Sequence, residues 1–175
     1  MNDPVRQKAL SIKLLALDVD GVLTDGKVWY RSAQEPEIKG FNIKDGLGIK
    51  LAQRAGIEVA IITGRESQAV SQRARELGIQ LLLQGREDKA IALEELLEQR
   101  HLSASQVAYM GDDWPDLAAI RKAGLGACPS DAVDAVREIS DWISPQAGGN
   151  GAVRSLCDLL LDAQCKWQEI AEAYH

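Results

Sequence analysis

The amino-acid sequence predicts a three-layer α/β fold, with a central parallel sheet covered by helices on both faces. Short, continuous apolar runs alternate along the chain with longer stretches in which apolar residues recur at helical spacing. Strands that are apolar throughout are typical of parallel sheets, because helices cover both of their faces. Several of these runs also end at an aspartate, a threonine or a glycine, which suits the turns and ligand sites found at strand ends.

Six apolar runs are predicted to form the strands of this sheet. They are Leu14–Val19, Glu58–Ile62, Leu81–Leu83, Val107–Met110 and two shorter runs, Leu125–Cys128 and Trp142–Ile143. The amphipathic stretches predicted to be helices are Leu47–Ala55, Ser67–Leu77, Lys89–Arg100, Asp116–Lys122 and Val133–Ile139, followed by a last helix from about Ala152. In this order the helices serve as the crossovers that parallel strands need.

The segment 26–43 interrupts the alternation and is predicted to be a small β-hairpin inserted after the first strand. Two strand-like runs, Lys27–Arg31 and Ile38–Phe41, flank a polar stretch. The large apolar side chains of this segment are Val28, Trp29, Tyr30, Ile38 and Phe41. They either pack against the chain's own domain or form a contact between subunits, and we favour the contact.

Length and charge narrow the class of protein. The 175 residues, 46% of them hydrophobic, are enough for one domain over 1–175 with its own core, ending in a C-terminal tail and helix at 146–175. The net charge of −6 argues against nucleic acid or an anionic membrane as the main partner, since both need a basic surface. An acidic protein that binds an acidic ligand must therefore concentrate positive charge locally, through a metal ion and a few basic residues.

Cysteine usage and the N-terminal segment indicate a cytoplasmic protein. The cysteines Cys128, Cys157 and Cys165 show no paired or metal-binding spacing, so we expect reduced thiols. The segment from Met1 to Lys13 is charged throughout and lacks the apolar stretch of a signal peptide. No apolar run approaches the length of a membrane span. We therefore expect a soluble protein in the cytoplasm.

Acidic, hydroxyl and basic residues stand where predicted strands end or the next helix begins. They are Asp18, Asp20, Thr63, Lys89, Asp112, Asp113 and Asp116. Each has an ordinary alternative when taken alone, as a turn residue, a helix cap, a strand end or a solvated lysine. Because the carboxyl ends of parallel strands meet at one edge of the sheet, together they predict a single site. Several acids gathered at one point need a counter-charge, which a hard divalent cation supplies.

These residues also make the chain resemble the haloacid dehalogenase superfamily. The motifs that carry the resemblance are DVDGVLTDG at 18–26, IITGR at 61–65, Lys89 and GDDWPD at 111–116. The resemblance implies a three-layer Rossmann-like core and an Mg²⁺-dependent enzyme. It also implies a phosphatase, because members that release halide lack the second aspartate, which is Asp20 here.

The resemblance implies a covalent mechanism. Asp18 is expected to attack phosphorus and form an aspartyl-phosphate. Asp20 is expected to protonate the leaving oxygen and then to deprotonate the water that hydrolyses the intermediate. Mg²⁺ is expected to be held by carboxylate oxygens of Asp18 and Asp112 and by the backbone carbonyl of Asp20.

Further residues of the motifs are expected to support this chemistry. Thr63 is expected to donate a hydrogen bond to a non-bridging phosphate oxygen. Lys89 is expected to neutralise charge on the phosphoryl group and on Asp18. Asp113 and Asp116 are expected to orient the metal-binding residues, with Asp116 supporting Lys89.

A closer resemblance is to the 3-deoxy-D-manno-octulosonate 8-phosphate phosphatases, a capless branch of the superfamily that serves lipopolysaccharide sugar synthesis. It rests on GVLTDG, FNIKDGLGIK, IITGR, QGREDK, AYMGDDWPD and the tail GGNGAVR, between about Ile12 and Gln164. The resemblance implies that the 26–43 hairpin replaces a cap domain. It also implies a homotetramer in which hairpins meet at the centre and a neighbouring subunit completes each active site.

Contacts with the substrate are implied by the same resemblance. Gly64, Arg65 and Arg73 are expected to lie beside the substrate, a carboxylated sugar phosphate. Arginine suits such a ligand because its guanidinium group binds a carboxylate through two parallel hydrogen bonds. Arg154 in the tail is expected to reach the phosphate site and to gate the release of product.

Other functions remain open on the sequence alone. One is a phosphatase for nonulosonate 9-phosphates, precursors of sialic-type acids, in which glutamate tends to replace the residue at Arg65. Another is a phosphatase with broad sugar-phosphate scope, which an open, capless site would allow. A regulatory protein that keeps the fold without turnover, and a phospho-accepting receiver domain, are the non-enzyme alternatives. The complete set of motif residues argues against the regulatory protein, and the Asp18–Asp20 pair argues against the receiver.

Overall fold

The computed structural model describes residues 3–30, 32 and 35–172 of the chain. Its strands are β1 (Leu14–Leu17), β2 (Glu58–Ile62), β3 (Leu81–Leu83), β4 (Val107–Met110), β5 (Leu125–Cys128) and β6 (Trp142–Ile143). They form one sheet in the order β3-β2-β1-β4-β5-β6, and every neighbouring pair is parallel. The predicted α/β sheet is confirmed, and all strands except β1 have their predicted bounds.

The helices cover both faces of the sheet. They are α1 (Pro4–Ala9), α2 (Ile43–Arg54), α3 (Gln68–Leu77), α4 (Lys89–Arg100), α5 (Leu117–Lys122), α6 (Asp134–Ile139), α7 (Ala152–Ala163) and α8 (Trp167–Glu172). Helices α1, α2, α3 and α7 pack on one face, and α4, α5 and α6 pack on the other. Within the described ranges, no helix is both long enough and apolar enough to cross a membrane.

Successive residues of each central strand pack into different cores, one on each face of the sheet. In β1, Leu15 and Leu17 belong to the core beneath α2 and α7, whereas Leu14 and Ala16 belong to the core beneath α4. All four side chains are fully buried. This is the period of two expected of a strand covered on both faces. Burial of each leucine contributes about 1.5–3 kcal/mol, so the end of β1 is held firmly from both sides.

Helix α2 begins earlier than the sequence pattern indicates, at Ile43 rather than Leu47. Asn42 caps the helix, because its side-chain oxygen accepts the N–H of Lys44 at 2.8 Å. The two glycines in the next turn, Gly46 and Gly48, weaken the helical pattern in the sequence.

Helices α1 and α8 are not indicated by the apolar pattern, although α1 has a recognisable start. Asp3 caps it by accepting the N–H of Val5 at 3.0 Å, and Pro4 occupies the first turn. An acidic cap followed by proline is typical of helix beginnings. Both helices pack through few buried residues, Ala9 in α1 and Ile170 in α8, which explains their weak apolar signal.

The chain between β1 and α2 has no room for a cap domain, as the sequence predicts. Trp29 and Ile38 form an isolated antiparallel bridge with N···O distances of 3.4 and 2.8 Å. The described part of this segment is therefore the base of a hairpin rather than two regular strands. The side chains of Trp29, Tyr30 and Ile38 are exposed, whereas Phe41 packs partly against the core. Arg31, the end of one predicted run, lies outside the described residues.

Candidate active site

A cavity of about 600 Å³ lies at the carboxyl ends of β1, β2 and β4. Its lining residues are Asp18, Asp20, Gly26, Thr63, Gly64, Arg65, Glu87, Lys89, Asp112, Asp113, Pro115 and Asp116. The residues that the sequence places at strand ends and at the start of α4 are therefore brought together. This position is the usual ligand site of an open parallel sheet.

The loop after β1 aims its two aspartates by a tight turn. Asp18 continues the sheet pairing, since its N–H donates to the carbonyl of Met110 at 3.0 Å. The carbonyl of Val19 then accepts the N–H groups of three residues, 22–24. Gly21 has φ +90°, and a Cβ there would overlap the carboxylate of Asp112. Glycine is thus required both for the turn and for the close approach of the loop after β4.

Three carboxylates and one lysine form the floor of the cavity. Asp18, Asp112 and Asp116 each offer a carboxylate oxygen, and these atoms lie within 4.8 Å of one another. Lys89, the first residue of α4, reaches this group with its Nζ 2.9 Å from Asp18 Oδ1 and 2.7 Å from Asp116 Oδ1. The side chains of Asp18, Lys89 and Asp116 are almost completely buried.

Asp116 differs from the other two acids because hydrogen-bond donors already occupy it. Its Oδ1 accepts from Lys89 Nζ and from the Tyr109 hydroxyl, both at 2.7 Å. Its Oδ2 accepts the backbone N–H groups of Asp112 and Asp113 at 3.1 and 3.3 Å. A carboxylate has about four acceptor positions, so Asp116 is left without one for a metal ion. Its geometry fits the expected orienting role.

Burial and mutual repulsion raise the pKa values of two of the three carboxyl groups. Burial and the Asp116 carboxylate raise the pKa of Asp18 to about 7, although Lys89 opposes the shift. Burial and the charges of Asp18 and Asp116 raise the pKa of Asp112 to about 8. Burial alone would lower the pKa of Lys89, but Asp18 and Asp116 raise it above its ordinary value, so Lys89 stays cationic.

The donor set fits a divalent cation such as Mg²⁺. One lysine faces three carboxylates, so net negative charge remains for a metal ion to neutralise. Asp18 and Asp112 supply hard oxygen ligands, which Mg²⁺ prefers. The backbone carbonyl of Asp20, two residues after Asp18 on the same turn, is the third ligand that the resemblance implies.

Asp20 is held by residues of the hairpin that the sequence interpretation did not include. Its Oδ1 accepts a hydrogen bond from Lys39, and Lys39 Nζ lies 3.2 Å from Glu37 Oε1. Glu37 Oε2 in turn accepts from Arg65 at 2.6 Å. The sequence does contain a signal for these residues. Side chains alternate along the strand-like run, so Glu37 and Lys39 share one face and the exposed Ile38 lies on the other.

Arg73 and Arg154 lie outside the cavity formed by their own chain. Arg73 donates to the carbonyl of Asn42 at 3.2 Å, and its guanidinium lies 5.8 Å from the Phe41 ring centroid. Arg154 is in the first turn of α7, with its Nε 2.7 Å from Asp158 Oδ1. The structure therefore brings Gly64 and Arg65 to the cavity but neither of these two arginines. Their expected roles stay predictions.

A second cavity, of about 520 Å³, lies at the amino end of β2 and lacks comparable chemistry. Its charged lining residues Glu58 and Arg100 neutralise each other at 2.5 Å. The remaining lining residues are Gln53, Gly56, Ile57, Val59, Gly78, Gln80 and Leu81. The cavity at the carboxyl ends of the strands is therefore the candidate active site.

The parallel sheet, the Asp18–Asp20 pair and the buried Lys89 define a hydrolase of the haloacid dehalogenase type. A family profile described as haloacid dehalogenase-like hydrolase matches residues 82–156. The 3-deoxy-D-manno-octulosonate 8-phosphate phosphatase of Escherichia coli (strain B / BL21-DE3) is 47% identical over 165 residues, which are 94% of this chain and 87% of that protein. The chain belongs to the 3-deoxy-D-manno-octulosonate 8-phosphate phosphatase family of the haloacid dehalogenase superfamily.

Solved structures agree with this assignment. The Moraxella catarrhalis 3-deoxy-D-manno-octulosonate 8-phosphate phosphatase, in complex with magnesium, phosphate and KDO, is 43% identical with a TM-score of 0.95, and the match covers 100% of both chains. The cobalt-bound form of the Haemophilus influenzae phosphatase is 41% identical with a TM-score of 0.88, covering 91% of this chain and 93% of that one. The fold predicted from the sequence is thus the fold of the family.

Proposed function

We propose that the chain hydrolyses 3-deoxy-D-manno-octulosonate 8-phosphate to the free sugar acid and phosphate, in lipopolysaccharide sugar synthesis. The observation that carries the proposal is the cavity in which Asp18 and Lys89 meet, with Arg65 beside them for a carboxylate. The named activity of the Escherichia coli relative supports the same substrate. So does the Moraxella catarrhalis structure, which contains magnesium, phosphate and KDO.

In the first half-reaction, Asp18 is the nucleophile. One of its carboxylate oxygens attacks phosphorus, and the bond from phosphorus to the sugar oxygen breaks. Asp20 donates a proton to that oxygen, so the sugar leaves as an alcohol. Lys89, whose Nζ lies 2.9 Å from Asp18 Oδ1, stabilises the negative charge on the phosphoryl oxygens, and Thr63 lines the same cavity as a hydrogen-bond donor.

In the second half-reaction, water attacks the phosphorus of the aspartyl-phosphate. Asp20 accepts the proton of the water, and the bond between phosphorus and the Asp18 oxygen breaks. Phosphate leaves and the Asp18 carboxylate is restored. Because Asp20 acts first as acid and then as base, its side chain has to keep the same place in both steps.

A bound Mg²⁺ ion supplies neutralising charge and Lewis acidity at this site. The residues that would hold it are Asp18 and Asp112, through carboxylate oxygens, and Asp20, through its backbone carbonyl. Asp116 orients them through the backbone of the loop after β4. Asp113 caps the turn that follows, accepting the N–H of Trp114 at 2.7 Å.

Recognition of the sugar acid falls to the rim of the cavity. The Arg65 side chain is about half exposed there, so its guanidinium can bind the carboxylate of the substrate. Arg73 lies outside the cavity of its own chain, and a substrate contact from it would be made to another subunit. Arg154 is in the first turn of α7, so gating by Arg154 would require this turn to leave its present position.

We further propose a cytoplasmic homotetramer in which each chain is one domain. Trp29, Tyr30 and Ile38 are exposed at the base of the hairpin, and an interface there would bury this apolar surface. Among the described residues, Cys128, Cys157 and Cys165 are all free thiols, as a reducing compartment favours.

The test is phosphate release in the presence of Mg²⁺ from a panel of sugar phosphates. The panel contains 3-deoxy-D-manno-octulosonate 8-phosphate, a nonulosonate 9-phosphate and a hexose phosphate. We expect a strong preference for the octulosonate. We also expect Asp18→Asn to lose turnover while keeping its fold, and Asp134→Asn, which changes an exposed aspartate, to match the wild type.

Each other outcome selects another function. Equal or better turnover of the nonulosonate or hexose phosphate keeps the mechanism and replaces the substrate. A stable phosphoprotein without turnover indicates a receiver, and no reaction with any phosphate indicates a regulatory protein. Residual activity of Asp18→Asn above a few per cent contradicts its role as nucleophile.

A further inference from the structure

Lys39 is a buried cation that reaches the active site from the hairpin. Its side chain has 0% relative exposure, and its ammonium donates a hydrogen bond to Asp20 Oδ1. A lysine is almost never fully buried unless it is paired. Here Asp20 and Glu37 provide the pairing, because the Lys39 ammonium also lies 3.2 Å from Glu37 Oε1.

Glu37 fastens the hairpin to the loop after β2. Its side chain is 10% exposed, and its Oε2 accepts a hydrogen bond from Arg65 at 2.6 Å. Burial alone would raise the pKa of Glu37, but Arg65 and Lys39 contribute to lowering it, so the group is anionic. Glu37 therefore bridges the cation that contacts Asp20 and the arginine at the rim of the cavity.

The two oxygens of the Asp20 carboxylate have different surroundings. Lys39 holds Oδ1 by a hydrogen bond. Oδ2 lies 3.7 Å from Arg65 Nε, which is beyond hydrogen-bond distance. Asp20 lines the cavity and its side chain is about one quarter exposed. Lys39 thus holds Oδ1 in place, whereas Oδ2 remains available to the leaving oxygen of a substrate.

We propose that Lys39 is a positioning residue that fixes Asp20 for proton transfer, and that Glu37 couples this position to Arg65. The inference rests on the proposed role of Asp20 as acid and base. It assigns a part in the reaction to the inserted hairpin within a single chain. The insertion then serves the chemistry directly, in addition to any contact that it makes with other subunits.

The leaving group distinguishes positioning of the acid from a general structural role. A sugar alkoxide is a poor leaving group and needs the proton from Asp20, whereas p-nitrophenolate leaves readily without one. Loss of Lys39 should therefore lower kcat/KM, which reports the steps up to departure of the leaving group, selectively for sugar phosphates. Hydrolysis of the aspartyl-phosphate, in which Asp20 acts as base, is common to both substrates and affects kcat. Damage to the fold or to the nucleophile would slow both kinds of substrate to a similar extent.

The experiment compares Lys39→Met with the wild type on 3-deoxy-D-manno-octulosonate 8-phosphate and on p-nitrophenyl phosphate, both with Mg²⁺. Asp20→Asn provides the reference, and we expect its kcat/KM on the sugar phosphate to fall by about 100-fold or more. For Lys39→Met we expect about a tenfold fall in kcat/KM on the sugar phosphate and little change in kcat/KM on p-nitrophenyl phosphate. Lys39→Arg should restore part of the loss.

A matched control lies on the same insertion. Lys27 pairs with Asp25 at 2.9 Å and its side chain is largely exposed, so Lys27→Met should behave as the wild type on both substrates. Circular dichroism and thermal unfolding establish that Lys39→Met is folded. If it is not, Glu37→Gln takes its place, and the same selectivity is expected at smaller size because Lys39 and Arg65 lose their shared partner.

Equal losses of kcat/KM on the two substrates in the folded variant would overturn the inference. If Asp20→Asn shows the selectivity and neither hairpin variant does, the inference fails while the proposed mechanism stands. If Asp20→Asn itself shows no selectivity, the role of Asp20 in the proposed mechanism fails, and the inference fails with it. The inference and the proposed mechanism are both supported if Asp20→Asn and Lys39→Met favour p-nitrophenyl phosphate in the same way. In that case the double variant should show nearly the selectivity of Asp20→Asn alone.

Discussion

At the scale of single residues, the Asp116 carboxylate is the centre of the hydrogen-bond network beneath the cavity. It joins Lys89 of α4, the hydroxyl of Tyr109 in β4 and two backbone N–H groups of the loop after β4. These partners come from α4, from the side of β4 that faces the same core as α4, and from the loop that carries Asp112. Asp116 therefore fixes the position of Lys89 relative to the loop that carries Asp112.

Substitution of Asp116 tests this role. Asp116→Asn places an amide NH₂ against either Lys89 and Tyr109 or two backbone N–H groups, so donor faces donor in both orientations. We expect Mg²⁺ affinity to fall by about 10–100-fold, as for other groups that orient metal ligands. Tyr109→Phe removes one donor only and should cost about 1 kcal/mol of stability with a smaller change in affinity. Mg²⁺ titration by calorimetry measures the affinity of both variants, and denaturation measures the stability of Tyr109→Phe. Wild-type Mg²⁺ affinity in Asp116→Asn would refute the assignment.

The raised pKa values of Asp18 and Asp112 predict how pH changes the stability of the metal-free protein. The pKa of Asp18 rises from 3.8 to about 7, and that of Asp112 from 3.8 to about 8. At pH values between the unfolded and the folded pKa of each group, the folded state binds more protons than the unfolded state. The free energy of unfolding therefore falls as pH rises through this range. In EDTA, the melting temperature should therefore be lower at pH 8 than at pH 5.5.

Two controls connect this pH dependence to the acidic cluster. Mg²⁺ should raise the melting temperature more at pH 8 than at pH 5.5, because protons compete with the metal at the lower pH. Asp112→Asn removes one of the repelling charges and should flatten the metal-free profile. A metal-free protein that gains stability from pH 5.5 to 8 would contradict the raised pKa values.

The sequence predicts the residues of the site that belong to its motifs, but not those that meet them through folding. Asp18, Thr63, Lys89 and Asp112 could be placed because parallel strand ends converge at one edge. Lys39 could not be placed, because its contact with Asp20 depends on how the hairpin folds back over the loop after β1. For the same reason, the buried strand pattern of Tyr109 gives no sign of its bond to Asp116.

At the scale of elements, the tail segment 146–151 is packed directly on the loop that carries Asp20. The N–H of Gly149 donates to the carbonyl of Val22 at 2.9 Å, and the N–H of Gly148 donates to Asp131 Oδ1 at 2.9 Å. A Cβ on Gly148 would overlap the carbonyl of Gly21. The glycines of the tail thus allow the tail backbone to touch the backbone of the loop that carries Asp20.

Gly148→Ala should therefore disturb both stability and catalysis. The added methyl group pushes the tail away from the loop after β1, at an expected cost of about 1–3 kcal/mol. Because that loop carries Asp20, kcat should fall as well. Gly40→Ala is the matched control, since a Cβ at Gly40 meets no atom within 4 Å. Chemical denaturation and phosphate release measure the two effects, and a Gly148→Ala variant with wild-type values of both would show that the tail contact is unimportant.

Whether the bounds of a strand or helix could be predicted depends on the residues at its ends. Strands β2, β3 and β4 were predictable because threonine or glycine closes or soon follows each apolar run. The start of α2 was not, because Gly46 and Gly48 weaken its pattern while serving close packing. A Cβ on Gly46 would overlap the Arg73 guanidinium, and one on Gly48 would press on Arg154 and Cys157. These are tertiary demands that local propensity does not show.

At the scale of the whole molecule, one chain has a small hairpin where a cap domain would be. The hairpin contributes Lys39 and Glu37, and among the described residues of segment 26–43 only Gly26 lines the cavity. Its outer side chains remain exposed, with relative exposures of 59% for Trp29 and 70% for Tyr30. Association through this surface would bury apolar area and bring other chains towards the cavity, which is how we account for both features together.

Substitution of Trp29 tests the proposed tetramer. Trp29→Glu puts a charge into the proposed contact, so light scattering should report a tetramer for the wild type and a smaller species for the variant. Its thermal unfolding should stay cooperative, because Trp29 is mainly exposed within one chain. The matched control is Ile91→Glu on the outer face of α4, a similarly exposed apolar site that should keep the wild-type mass. If Trp29→Glu remains a tetramer, the interface lies elsewhere on the chain. If the wild type is a monomer at micromolar concentration, no active site is shared between subunits, and Arg65 is the carboxylate contact within a single chain.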